Sequence, residues 1–297
     1  MSFLTIQSFD ERFDFLDLDR IVERTCRVAL EHPEALYLFM QRYTYFNSYA
    51  GSWVARLASS IGLSRELFVD RGCEVYDEAD RGLKVAARVF AAAIDEHGDR
   101  HMKGLPHRVL AQATLKAIGN YGRLSNERRN MFAAIPSWLA MIVTETGHGY
   151  QGAPGNLREL IFSMGFHAAS ELLADREYTT IDRIIRHEHR DSGFALYLRT
   201  AQGTVEIDGG SVSSWYWIAV HGQHGNSGVE KDHFDDAAAA LNLAVQYRTE
   251  PAVTLQEWFF EGFGSFVDIQ QRLFENICRE CANLNPEATQ PAVVLFA

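Results

Sequence analysis

The sequence predicts an all-α protein. Apolar residues recur with a helical period over most of the chain, glycines fall between the periodic segments, and only one short stretch alternates as a strand does. The clearest long segment is 36–61, where Leu38, Phe39, Tyr43, Phe46, Tyr49, Ala50, Trp53 and Leu57 recur at spacings of three and four, the pattern of a core helix. The same period predicts helices over 19–31, 77–96, 107–118, 126–145, 157–174, 178–189, 212–221, 229–248 and 254–282. Gly62, Gly98, Gly104, Gly119, Gly147, Gly149, Gly152 and Gly155 lie between them, where helix ends favour residues that accept left-handed conformations. In 194–207, Phe194, Leu196 and Leu198 alternate, Ala201-Gln202-Gly203 reads as a turn, and Val205 and Ile207 alternate again, which predicts a short hairpin or extended excursion. No strand–helix–strand alternation surrounds it, so the class stays all-α.

Composition narrows the function. Of 297 residues, 47% are hydrophobic and 23% charged, a globular balance, and no Pro/Gly/Ser-rich linker divides the chain, which predicts a single domain over 1–297. A net charge of −11 argues against nucleic acid, whose phosphates are held by clustered Lys and Arg. No apolar run is long enough to span a bilayer. The first residues lack the basic-then-apolar order of a signal peptide, and the four cysteines are too few and scattered for a disulfide scaffold, so the expected compartment is the cytoplasm. Cys278 and Cys281 form a lone CxxC with no second pair to complete a zinc site. Neither G-x-G-x-x-G after a strand nor G-x-x-x-x-G-K-[ST] occurs.

Acids and histidines on apolar helix faces are the more informative feature, because a buried ionisable group needs a partner or a metal to offset its desolvation. Val85, Val89, Ala92 and Glu96 advance by threes and fours, so Glu96 continues a buried stripe or stands as a solvated helix end, while Asp95 is rotated away. His101 and His107 follow across a glycine-containing loop. His167 and Glu171, four apart, share a face with Leu160 and Met164; a His–Glu hydrogen bond and metal ligation both satisfy that spacing. Glu230 and His233 form an ExxH pair on an amphipathic segment, placing a carboxylate beside an imidazole. His221 stands twelve residues before His233, roughly 120° away on a regular helix, so it joins them only across a break near Gly225 and Gly228. Carboxylates and imidazoles without thiolates suit iron or manganese. Two other readings are weaker. Glu145-x-x-His148 would pair with Glu230-x-x-His233 in a ferritin-like bundle, but His148 sits in a glycine-rich stretch, and His187 with His189 reads as a charged helix end.

The order of these elements resembles the haem-oxygenase-like di-iron oxidases and oxygenases, an all-helical family. MQRYTYFNSYAGSWVARLASSIG is similar to its first core helix, IDEHGDRHMKGLPHRVLAQATLKAIG to its Glu–loop–His element, FHAASELLADREYTTID to its middle-Glu helix and VHGQHGNSGVEKDHFDDA to its terminal cluster, together covering about 36–248. The resemblance implies metal ligands at Glu96, His107, Glu171, His221, Glu230 and His233, with His167 orienting Glu171. It implies two Fe(II) ions, dioxygen, an electron donor and a small organic substrate, with room for a homodimer. The implied chemistries are N-oxygenation, desaturation or oxidative carbon–carbon cleavage of an amino-acid-like or amine metabolite in biosynthesis. The terminal cluster departs from the family by a Glu in place of Asp and about five extra residues after His221. Asn226 or His224 therefore competes with His221, and His101 with His107. Tyr45, Trp215, Tyr216 and Trp217 are expected near the cavity. Two rival expectations are a metal-free member of the same fold acting on a vitamin-like heterocycle, and a non-enzymatic helical binding protein.

Overall fold

Two long helices, crossing at glycines, form the axis on which the other elements are mounted. The computed structural model describes residues 9, 12–69, 78–98, 104–200, 203–207, 209–222 and 229–284, apart from the side chains of 78–80 and 229–231. His101, His224 and Asn226 lie outside the described residues, as does the side chain of Glu230.

Helix α1 (Leu16–Leu30) leads into α2 (Pro33–Asn47), whose start is set by Pro33 in the first turn and by His32, which accepts a hydrogen bond from the Glu34 N–H. The single helix expected over 36–61 is two, α2 and α3 (Ala50–Leu63). At the break, both the Ser48 N–H and its hydroxyl turn back to the Tyr45 carbonyl, and the Asn47 amide takes the Tyr43 carbonyl. These bonds compete with the helical ladder. Helix α4 (Glu78–His97) packs along α3, and α5 (His107–Tyr121) begins after Pro106. The helix expected over 126–145 is also divided, into α6 (Asn126–Ala133) and α7 (Ser137–Gly149), because Pro136 has no N–H to donate and forces its predecessor out of helical conformation.

The opposite correction applies to 157–189. The two expected helices are one, α8 (Leu157–Asp182), continued by a π-helical turn (Arg183–Glu188), since nothing between Ala174 and Tyr178 breaks a helix. Helix α8 is buried on nearly every side, and that is why polar side chains on it reach the interior. It crosses α12 (Ala252–Asn283) at Gly165 and Gly262: a Cβ on Gly165 would fall 1.8 Å from the Phe259 carbonyl oxygen, and one on Gly262 1.9 Å from that of Phe162. Only glycine permits that approach at either position.

The excursion near 194–207 is also placed differently. Residues Gly193–Thr200 form helix α9, with Phe194 and Ala195 buried side by side, and the hairpin follows as β1 (Thr204–Ile207) and β2 (Gly210–Ser213). The strands are antiparallel, with Val205 opposite Val212, and Gly209 takes φ +75° in the turn. Val212 is therefore a strand residue, and the helix expected from it begins later, as α10 (Tyr216–His221). Helix α11 (Val229–Gln246) packs against α4 and α8. No described helix is long and apolar enough to cross a membrane.

Candidate metal centre

Five helices converge on one buried polar site. Glu96 comes from the last turn of α4, His107 from the first turn of α5, His167 and Glu171 from the middle of α8, His221 from the end of α10 and His233 from α11. His107, His167, Glu171, His221 and His233 are all buried.

Glu96, His107 and His221 form the tightest group. Each offers one ligand atom, and the three atoms lie within 4.8 Å of one another. Glu96 Oε1 is 3.1 Å from His107 Nδ1, and the rings of His107 and His221 meet edge to face at 4.6 Å. His221 Nδ1–H donates to the Trp217 carbonyl one turn earlier, and Tyr178 stacks on its other side at 4.7 Å. That bond fixes the tautomer and leaves the Nε2 lone pair as the ligating one. Burial and the neighbouring His107 push the His221 imidazole down to about 4, so it is neutral at pH 7. Burial pushes the Glu96 carboxyl up, but His107 and His221 outweigh that and hold it below the ordinary carboxylate range.

A second group adjoins the first. Glu171 places Oε1 3.2 Å from His167 Nδ1 and Oε2 3.3 Å from His233 Nδ1. Asp95 lies between the groups, with Oδ2 3.7 Å from His107 Nε2 and 3.9 Å from His233 Nε2. The expectation that Asp95 is rotated away holds for the helix wheel alone. Asp95 is partly buried, and because α5 and α11 both pack against α4 its carboxylate lies near His107 and His233. His221 sits with Glu96 and His107, whereas His233 sits with Glu171. The two histidines come from separate helices, so the phase mismatch between them on one helix does not arise.

Several competing residues lie elsewhere. Glu145 pairs with Arg272 on the surface and His148 is exposed at the end of α7, which removes the ferritin-like pairing. His187 is half exposed beside Asp182, 3.2 Å away. Cys278 and Cys281 are buried in α12, the Cys281 thiol donates to the Ala35 carbonyl, and burial pushes that thiol well above its usual range.

The donor set fits a metal ion. It combines carboxylates with imidazoles, of which His221 and His167 are pushed down by burial, the latter against the opposing pull of Glu171. His167 Nε2 is buried without a hydrogen-bond partner among the described residues. A cavity of about 260 Å³ reaches the cluster, lined by Glu96, His107, Glu171, Tyr178 and Trp217 at one end and by Trp53 and Arg108 among others. Trp217 lines it as expected, whereas Tyr45, Trp215 and Tyr216 do not, and the Trp215 indole instead donates to Asp182.

No protein-family model matches the chain, and no curated protein matches it. Among solved structures it is similar to a CADD-like protein of unknown function from Nostoc punctiforme, with a TM-score of 0.55, 14% sequence identity and 90% of each chain covered. The architecture is therefore the helical, haem-oxygenase-like fold with a two-stranded hairpin added. That fold includes di-iron enzymes, and among the described residues this chain carries one His/Glu group that could hold a metal.

Proposed function

We propose that the protein is a non-haem di-iron oxidoreductase that uses dioxygen and an electron donor to oxidise a small organic metabolite. The observation that supports this most is the Glu96–His107–His221 group, with both histidines buried and with Glu96 and His107 lining a cavity. Glu96, His107 and His221 would hold one ion, and Glu171 and His233, with Asp95 and His167 beside them, would hold the other. Glu230, one turn before His233 on α11, is a further ligand in this reading. Bound ferrous iron would supply the electrons and open positions that dioxygen chemistry requires.

The chain's own residues do the rest. The Trp217 carbonyl and the Tyr178 ring hold His221 in one tautomer and one plane. Tyr150, bonded to Ser170 and stacked on Trp53, closes one wall with apolar surface and limits water at the centre. The chemistry expected here is N-oxygenation or oxidative carbon–carbon cleavage of an amino-acid-like metabolite in biosynthesis.

The test is anaerobic titration with Fe(II), followed by elemental analysis of the desalted protein and by oxygen-uptake measurement on readmission of air. The expected result is two irons per chain, a loss of at least one in Glu96→Ala and in His107→Ala, and oxygen consumption by the loaded wild type only. Wild-type protein that retains no iron would leave the metal-free or non-enzymatic expectation in its place.

A further inference from the structure

The cavity beside the candidate metal centre has an asymmetric wall. Its hydrogen-bonding side chains are mostly committed: the hydroxyls of Ser48, Thr146 and Ser170 donate to the carbonyls of Tyr45, Ile142 and His167, and the Asn47 amide donates to Tyr43. Glu96 and Glu171 are engaged with histidines. Arg108 differs from these. It is the one Lys or Arg among the described lining residues, it is exposed at the cavity, and no described residue pairs with its guanidinium. It also occupies the first turn of α5, which contains no acidic residue and has no side-chain cap.

In a chain of net charge −11, a guanidinium with no hydrogen-bond or ion-pair partner among the described residues offers a local attraction for an anion at the cavity. Guanidinium forks match carboxylates in two parallel hydrogen bonds. Trp53 and Phe266 add apolar rings to the same lining. The volume, about 260 Å³, is at the small end for ligand pockets, roughly 300 Å³ upward. We infer that the cavity binds a small organic carboxylate, its anionic end paired with Arg108 and its apolar body laid against Trp53 and Phe266, with the far end beside Glu96 and Glu171. This deepens the functional reading above and rests on it for the role of the carboxylate as substrate, but binding itself requires no metal.

The experiment is calorimetric titration of chelator-treated, metal-free protein with two matched pairs of probes, phenylacetate against phenylacetamide and hexanoate against hexanamide. At least one carboxylate should bind wild type about tenfold more tightly than its amide, about 1.4 kcal/mol. Arg108→Gln should lose that preference while keeping its unfolding midpoint and its iron uptake, and Arg108→Lys should keep part of it. Equal affinity for acid and amide, a preference that survives in Arg108→Gln, or no binding of either carboxylate at millimolar concentration overturns the proposal. A preference that holds in a protein that takes up no iron supports the carboxylate site and removes the di-iron reading alone.

Discussion

Gly51 on α3 and Glu96 on α4 meet so closely that a Cβ on Gly51 would stand 2.8 Å from the Cβ of Glu96. The same atom would lie 2.9 Å from His97 Cε1, so α3 presses on both residues at the end of α4. Gly51 sits in a helix, where alanine has the better intrinsic propensity, yet the space is already taken.

Gly51→Ala should therefore leave the helices in place and move Glu96. Displacing a ligand through its support typically costs about 10- to 100-fold in metal affinity. Anaerobic ferrous titration of the variant should show a loss of that order, with the far-ultraviolet spectrum unchanged. Wild-type affinity in Gly51→Ala would mean that α4 shifts without disturbing the site.

In the di-iron reading proposed above, Glu171 would belong to the second metal position. Its oxygens face His167 and His233, whereas Glu96, His107 and His221 group without it. Elemental analysis should then show two irons in wild type and one retained in Glu171→Ala. His221→Ala should also retain one, held at the other position. If Glu171→Ala keeps both, the second position is misplaced.

How far the site is legible in the sequence differs from residue to residue. The helical stripe ending at Glu96 leaves a buried and a solvated position open, and the four-residue spacing of His167 and Glu171 allows a shared face; the structure places Glu96 partly buried beside His107 and the other two buried together. Asp95 is illegible because its surroundings depend on α5 and α11 packing against α4, a tertiary fact that no helical period records. Arg108 is illegible for the same reason, since only the cavity gives an exposed arginine significance. Among the elements, the helices were readable and their ends were not. The break at Ser48 is made by side-chain bonds to carbonyls, and Phe194 to Leu198 satisfies a two-residue alternation while burying Phe194 and Ala195 as a helix does.

Asp182 is the anchor of the α8 end. It is buried and accepts hydrogen bonds from Trp215 Nε1 at 2.7 Å and from Arg186 Nε at 2.7 Å. Asp182→Ala should cost about 3 kcal/mol, because it leaves a buried indole N–H and a guanidinium without their acceptor. Urea unfolding is the measurement, and a loss under about 1 kcal/mol would mean that other acceptors, or water, replace the carboxylate.

Glu177 supplies a pH dependence whose sign is opposite to that of most carboxylates. It is buried, and it accepts hydrogen bonds from the Tyr43 hydroxyl and the Gln270 amide. Burial pushes its carboxyl up to about 8 despite those two bonds, from an ordinary value of 4.5. Below the lower value both the folded and unfolded chains hold the proton, and the group's contribution is fully present. Between the two values the folded chain keeps a proton that the unfolded chain has released, so stability falls as pH rises, by at most about 1.4 kcal/mol per pH unit. Glu177→Gln keeps the shape and carries no titrating proton. Its stability relative to wild type should therefore rise from about pH 5 to about pH 8 and level off above, as read by urea midpoints at fixed ionic strength. Parallel curves for the two proteins across that window would show that Glu177 is ionised in the fold at neutral pH.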